Sequence, residues 1–525
     1  MKNIFIFLLL ISLFSCQEEK KKNTVSTTPP VVTITDEGKI ISIDSVLVSQ
    51  IKDSLVQAFY QANTYQTAWL DSNCRVSLIQ ELQNAAAEGL NPNDFDLKKI
   101  NQLEKSIATL SDNQLIDYDI LLVENLHRYN QKIAKGTVNP KEFYKDWDLK
   151  ENKINFEKLL LNFLKKDSFD YALYQVKPNH LVYQKLKKSL QLIENFPNKS
   201  FKKLEITEKI VLNDTNAMLP EIKTRLAYWN DMKKQDSLTS IYDETTQKGI
   251  KKFQMRHGLA PDGVIGKGTI SALNYSKKKR KEQIIANMER WRWYPRQFEN
   301  EYLLINIPDY SLSFVKNRDT IDTHRIIVGK ASRSTPILSS KLSYVVFNPT
   351  WTLPPTILKE DVIPAATKNR SYFANKNITI YKGSNKVSAD DWIPSKGRSY
   401  RYVQSPGANN SLGLVKIMFP NRFSVYLHDT NSRGYFGREM RSLSSGCVRV
   451  QDPFELTEKL LHDSINWSKQ KIDSVLVASK TKNVNFKQDI YLHILYWTAW
   501  SDGNKLQFRD DIYKLDAALY DKLRN

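Results

Sequence analysis

Three cysteines occur in the 525 residues, and one of them sits where sulfur chemistry is possible. Cys447 lies in Ser444-Ser445-Gly446-Cys447-Val448-Arg449-Val450, a polar turn running into an apolar alternation. A thiol attacks as thiolate, and a free cysteine with a pKa of about 8.5 is only a few per cent ionised at neutral pH. It needs a base or a cation beside it. His428 fits the role of base: it ends the run Ser424-Val425-Tyr426-Leu427-His428 and is followed by Asp429-Thr430. The intervening loop is long enough to return the chain beside the strand it left. Gly446 lacks a Cβ, so backbone there can approach a reacting carbonyl closely. The amides of Gly446 and Cys447 are then the expected donors to a developing oxyanion. Cys74, in Asp71-Ser72-Asn73-Cys74, has no such setting, and a Cys74–Cys447 disulfide is the bland alternative.

These residues must be positioned by a β domain. After Pro295 the apolar period changes from 3.6 to 2, and Tyr302–Ile307, Ser311–Val315, Arg325–Val328, Ser343–Phe347, Val415–Phe419 and Ser424–His428 all read as strands. Many short strands between polar turns indicate a sandwich or barrel-like domain over 301–480. Between about 355 and 402 the strand pattern lapses into a helical, basic and aromatic insertion, expected to serve as a lid. Residues 481–525 read as a C-terminal hairpin and tail, with the turn at Ser501-Asp502-Gly503-Asn504. Upstream, 41–205 is mostly helical, with elements near 77–87, 116–134 and 154–165 and no chemical constellation, so it reads as scaffold. In 206–275, Phe253-Gln254-Met255-Arg256-His257-Gly258-Leu259-Ala260-Pro261-Asp262-Gly263-Val264-Ile265-Gly266 leads into a short helix. This stretch resembles the small three-helix peptidoglycan-binding domain. Residues 276–300 read as a linker helix stopped by Pro295, with Lys277–Lys281 as its solvated face. The fold class expected is α+β: a helical scaffold and a small three-helix domain, then a mostly β catalytic domain with a lid insertion.

Tyr426-Leu427-His428-Asp429-Thr430 with Ser444-Ser445-Gly446-Cys447-Val448-Arg449-Val450 resembles the active-site signature of L,D-transpeptidases with the YkuD-type catalytic domain. Ser445 replaces a histidine that many members carry before the Gly-Cys pair, a departure shared by the large multi-domain, YcbB-like branch. Trp351–Ile357, Ser405–Gly413 and Tyr496–Trp500 also match, so the resemblance covers roughly 210 to 516. It implies acyl transfer in two steps, through a Cys447 thioester with His428 as base, forming 3→3 cross-links between peptidoglycan stem peptides. It further implies that Arg449, Tyr426, Ser445 and basic residues of the lid hold the substrate, Arg449 through its two-pronged donors, and that no metal or organic cofactor is required. The same residues would serve an L,D-carboxypeptidase, in which water resolves the thioester, and attachment of an outer-membrane protein to the wall is a related outcome. A non-catalytic wall-binding lipoprotein is the reading from a different class. A papain-like protease fits poorly, because there the cysteine comes early and opens a helix.

The formal charge of +20 favours anionic partners. The sequence carries no arginine-rich arm or zinc-finger spacing, which argues against nucleic acid. Met1-Lys2-Asn3 followed by the apolar run Ile4–Phe14 suits a signal peptide over 1–15. Leu13-Phe14-Ser15-Cys16 resembles the lipobox of bacterial lipoproteins. That implies a lipidated Cys16, a polar tether over 16–40, and an exported, membrane-anchored protein of the cell envelope, facing the periplasm.

Overall fold

The computed structural model describes residues 40–69, 71–163 and 176–525. The expected signal segment, Cys16 and nearly all of the tether lie outside them. The α+β class holds: a helical N-terminal region precedes a mostly β domain. The helix Asp112–Lys135 organises the N-terminal part. Ser111 and Gln114 close a capping box at its start, and Gly136 ends it at φ +85°. Leu122, Leu126, Tyr129 and Ile133, spaced on one helical face, bury against Val56, Phe59 and Leu78 in a core of their own.

The strands, in chain order, begin with β1 (Trp147–Asp148), β2 (Glu301–Asn306), β3 (Ser311–Lys316), β4 (Asp319–Gly329), β5 (Ile337–Lys341) and β6 (Tyr344–Phe347). The insertion holds β7 (Trp351–Thr352), β8 (Ile378–Lys382), β9 (Asn385–Val387) and β10 (Arg401–Gln404). Then come β11 (Val415–Met418), β12 (Leu427–His428), β13 (Ser442–Ser444) and β14 (Val448–Val450). The last are β15 (Lys482–Asn485), β16 (Tyr491–Leu495), β17 (Ala499–Asp502) and β18 (Lys505–Phe508). One mixed sheet runs β1-β5-β16-β2-β3-β4-β14-β12-β11-β6-β15, with β13 beside β4. The path is continuous through the long strand β4, whose first part pairs β3 and whose end pairs β14.

Four sequence expectations change. β1 comes from the region read as scaffold and pairs parallel with β5, so that region contributes an edge strand to the main sheet. β16, read as tail, lies inside the sheet between β5 and β2. The hairpin itself forms as expected, β17 pairing β18 around Gly503 at φ +55°. The insertion is a small subdomain: β7, β10, β8 and β9 form their own sheet over a core of Val362, Phe373, Ile380, Trp392 and Tyr402. Its strands are too short and polar at alternate positions to read as strands.

The expected linker is the largest change. Lys277–Trp293 is one helix, and nearly every residue from Arg280 onward is buried. Arg290 pairs with Asp516, Arg292 with Glu289 (2.7 Å), and Asn287 exchanges hydrogen bonds with Thr498 (2.8 and 2.9 Å). Arg280, expected on a solvated face, lies between the rings of Tyr275 and Phe508. Charged residues all round a helix read as solvent-facing. Here the buried ones find partners within the helix or on other elements, and the helix becomes a spine between the N-terminal region, the small three-helix unit and the sheet.

Candidate active site

The parallel pair β12 and β14 sets the geometry. Leu427 lies opposite Val448 and His428 opposite Arg449, and the Val448 N–H donates to the Tyr426 carbonyl (3.1 Å). Successive side chains of a strand point to opposite faces. Leu427 and Val448 therefore enter the core, while Tyr426, His428, Cys447 and Arg449 emerge on one wall of a cavity of about 760 Å³. The structure thus brings together the cysteine and histidine singled out in the sequence. Cys74 packs against the N-terminal core, and no disulfide joins it to Cys447, which removes the disulfide alternative.

Cys447 is half-buried on this wall, and the backbone N–H and hydroxyl of Tyr426 both reach its sulfur. Burial pushes the thiol above its ordinary value; the two Tyr426 donors, Lys416 and Arg449 pull the other way. Burial, with Arg449 and Lys416 adding to it, lowers the His428 imidazole to about 3, against weaker support from the backbone of Asp429 and Leu412. Both shifts favour the uncharged forms, so at neutral pH this wall carries a thiol and a neutral imidazole. Such a pair suits proton transfer from sulfur to imidazole as the sulfur attacks, with the cations stabilising the negative charge that develops.

The turn that carries Cys447 is bolted down. Ser444 Oγ donates to the Cys447 carbonyl (2.6 Å) and accepts from the Gly446 N–H (3.2 Å). Thr335 Oγ1 donates to the Gly446 carbonyl (2.9 Å) and accepts from the Gly329 N–H (2.8 Å). Gly446 sits at φ +111°, a left-handed conformation that favours glycine. One expectation is corrected: the Gly446 amide is already engaged by Ser444 Oγ, because the turn folds back on that hydroxyl. The two amides are not left as a matched pair of oxyanion donors.

The other expected substrate contacts divide. Arg449 lines the cavity, and its Nε has no hydrogen-bond partner among the described residues. Tyr426 is placed on the sulfur, and its hydroxyl also accepts from Trp351 Nε1 (3.1 Å). Ser445 accepts a hydrogen bond from Arg333 (2.8 Å) at the cavity mouth. The insertion contributes Trp351, Pro354, Thr356 and Ile357 to the lining and no basic residue, contrary to the expectation of lid lysines and arginines on the substrate.

Sequence reasoning missed several groups. Lys416 lies directly opposite His428 on β11, with its ammonium 3.9 Å from the Tyr426 ring centre. Strand alternation in Val415-Lys416-Ile417 carried that signal. Arg333, Thr335 and the segment Phe143–Asp146 also line the cavity. They lie far away in sequence, and only the fold unites them with Cys447. Among the described residues no three His, Cys, Asp or Glu side chains converge as metal ligands would.

Three family models match the chain: "Scaffold domain" over residues 54–190, "Putative peptidoglycan binding domain" over 216–273 and "L,D-transpeptidase catalytic domain" over 300–477. A "Putative L,D-transpeptidase" of Haemophilus influenzae is 34% identical over 238 residues, 45% of this chain and 48% of the relative. The match thus spans about half the length of that relative. Two solved L,D-transpeptidases overlay at 12% identity. One, from Xylanimonas cellulosilytica, has a TM-score of 0.17, covering 56% of this chain and 100% of its own. The other, from Stackebrandtia nassauensis, has a TM-score of 0.21, covering 57% and 97%.

Proposed function

We propose that this chain is an L,D-transpeptidase that cross-links peptidoglycan through a Cys447 thioester, a reading supported by the match of residues 300–477 to the L,D-transpeptidase catalytic domain and of 216–273 to the peptidoglycan binding domain. The carrying observation is that Cys447, His428, Tyr426 and Arg449 share one wall of a cavity large enough for a peptide.

In the proposed reaction a stem tetrapeptide binds with the carbonyl of its third residue, a diamino acid, against the sulfur. As Sγ attacks, the thiol proton passes to His428. The tetrahedral oxyanion collapses, the C–N bond to the terminal D-alanine breaks, and His428 returns the proton to the leaving amine. The side-chain amine of a diaminopimelate on a neighbouring stem then attacks the thioester and gives its proton to His428. The C–S bond breaks, leaving a 3→3 amide bond and a thiol restored by that proton. Lys416 and Arg449 stabilise the negative charge on sulfur and oxygen, where a low-dielectric wall makes charges count for more than in water.

The +20 charge suits a carboxylate-rich polymer, and the wall substrate places the protein in the cell envelope. Among the described residues no helix is long and apolar enough to cross a membrane. Anchoring through a lipidated Cys16 completes the proposal for its location. The test is mass spectrometry of disaccharide-tetrapeptide stems incubated with purified protein. Expected are 3→3 dimers and free D-alanine, with an acyl-enzyme adduct on Cys447. Tripeptide monomers alone would indicate the hydrolytic outcome. Dimers formed equally by the Cys447→Ala protein would overturn the mechanism.

A further inference from the structure

Arg333, at the end of a short turn after β4, reaches across the cavity mouth. Its Nε donates to Glu360 (2.8 Å), and its two terminal nitrogens donate to Asp361 (2.7 and 3.2 Å), to Glu360 and to Ser445 Oγ (2.8 Å). Glu360 and Asp361 belong to the insertion; Ser445 is two residues before the nucleophile. The partners are unequally held. The Arg333 side chain is 9% exposed, whereas those of Glu360 and Asp361 are 47% and 46% exposed. The guanidinium is thus fixed beside the cavity, and the carboxylates that meet it stand half in water on a separate subdomain.

We propose that Arg333 is a carboxylate-binding site for the wall peptide, filled in this structure by Glu360 and Asp361 acting as stand-ins for a substrate carboxylate. A planar guanidinium matches a carboxylate with two parallel N–H donors, and a lysine cannot reproduce that fork. An entering stem peptide displaces the insertion's acids from Arg333 and docks its own carboxylate within reach of Cys447. The insertion therefore competes with substrate for one receptor and moves aside as substrate binds. The inference rests on the proposed acyl transfer for the identity of the carboxylate, but its test needs only a reactive Cys447.

Full-length protein is alkylated with iodoacetate, which carries a carboxylate, and with neutral iodoacetamide, and the Cys447 adduct is followed by mass. In Glu360→Gln/Asp361→Asn the iodoacetate rate is expected to rise several-fold relative to the iodoacetamide rate. Adding Arg333→Lys to that protein keeps the charge, loses the fork, and is expected to abolish the gain. Equal acceleration of both reagents would mean that the acids merely close a lid, and would overturn the site. A gain that survives Arg333→Lys would mean a general charge effect, with the same consequence. Normal alkylation behaviour without cross-linked product would instead sink the proposed function and leave the receptor standing.

Discussion

The spine helix and the cavity wall both bury basic side chains, but they leave them in opposite electrostatic states. On the spine, Arg290 meets Asp516, Arg292 meets Glu289, and nearby Arg256 meets Asp231 through two nitrogens. On the wall, Lys416 and Arg449 flank Cys447 and His428, and among the described residues neither cation has a carboxylate in ion-pairing range. A buried cation without an anion costs stability unless something else gains from its field. At these pairs the field is cancelled and parts of the chain are joined, while Arg280 of the spine is met by the rings of Tyr275 and Phe508. On the wall the field remains available to a sulfur anion, an oxyanion and an incoming substrate.

If that division is right, substitutions on the wall should cost chemistry and those on the spine should cost stability. The largest effect expected is Cys447→Ala, which abolishes acyl-enzyme and dimer formation with unchanged denaturant unfolding. His428→Gln should lower the acylation rate by about 10²- to 10⁴-fold, the range for loss of a general base. It should also change the acid response. The folded imidazole lies near 3 against an ordinary 6.5, so between those values the unfolded chain binds the extra proton. Wild-type stability therefore falls as pH drops through that window, and His428→Gln should flatten that slope. Urea midpoints at pH 7 and pH 4 would check it; parallel slopes in the two proteins would contradict a buried neutral base.

Arg290→Met tests the other side. It strands Asp516 in the interior, and breaking a buried pair in this way costs about 3–5 kcal/mol. Thr498 Oγ1 still donates to that carboxylate (2.7 Å), which softens the loss. Unfolding curves should move strongly while the acylation rate of the remaining folded protein stays near wild type. A catalytic loss without a stability loss would erase the contrast between the two regions.

How much of this was legible in the sequence follows the range of the forces involved. The placing of Cys447 and His428 on neighbouring strand ends was readable because strand alternation and a Gly-Cys turn are local signals. The hairpin at Gly503 was readable for the same reason. Arg333 was not, since nothing near Ala331-Ser332-Arg333 indicates that the fold will set it beside Ser445 and Glu360. Nor was the spine helix. Its charges look solvent-facing until Asp516 and Thr498, both from the far end of the chain, are in place. The insertion hid its sheet because β8 to β10 bury alternate residues against one another and not against the main core.

The finest test concerns Lys416, whose signal was local but unread. Its ammonium stacks on the Tyr426 ring, and the Tyr426 N–H and hydroxyl touch the sulfur. Lys416 should therefore act as a positioning residue that also favours thiolate. Removing it in Lys416→Met leaves burial less opposed, so the thiol titrates at higher pH and iodoacetamide reacts several-fold more slowly at pH 7. Lys416→Arg restores charge over the ring and should restore most of the rate. A merely structural lysine would leave the alkylation pH profile in place and change only stability. An unshifted profile in Lys416→Met would show that the cationic field at the sulfur is set by Arg449 alone.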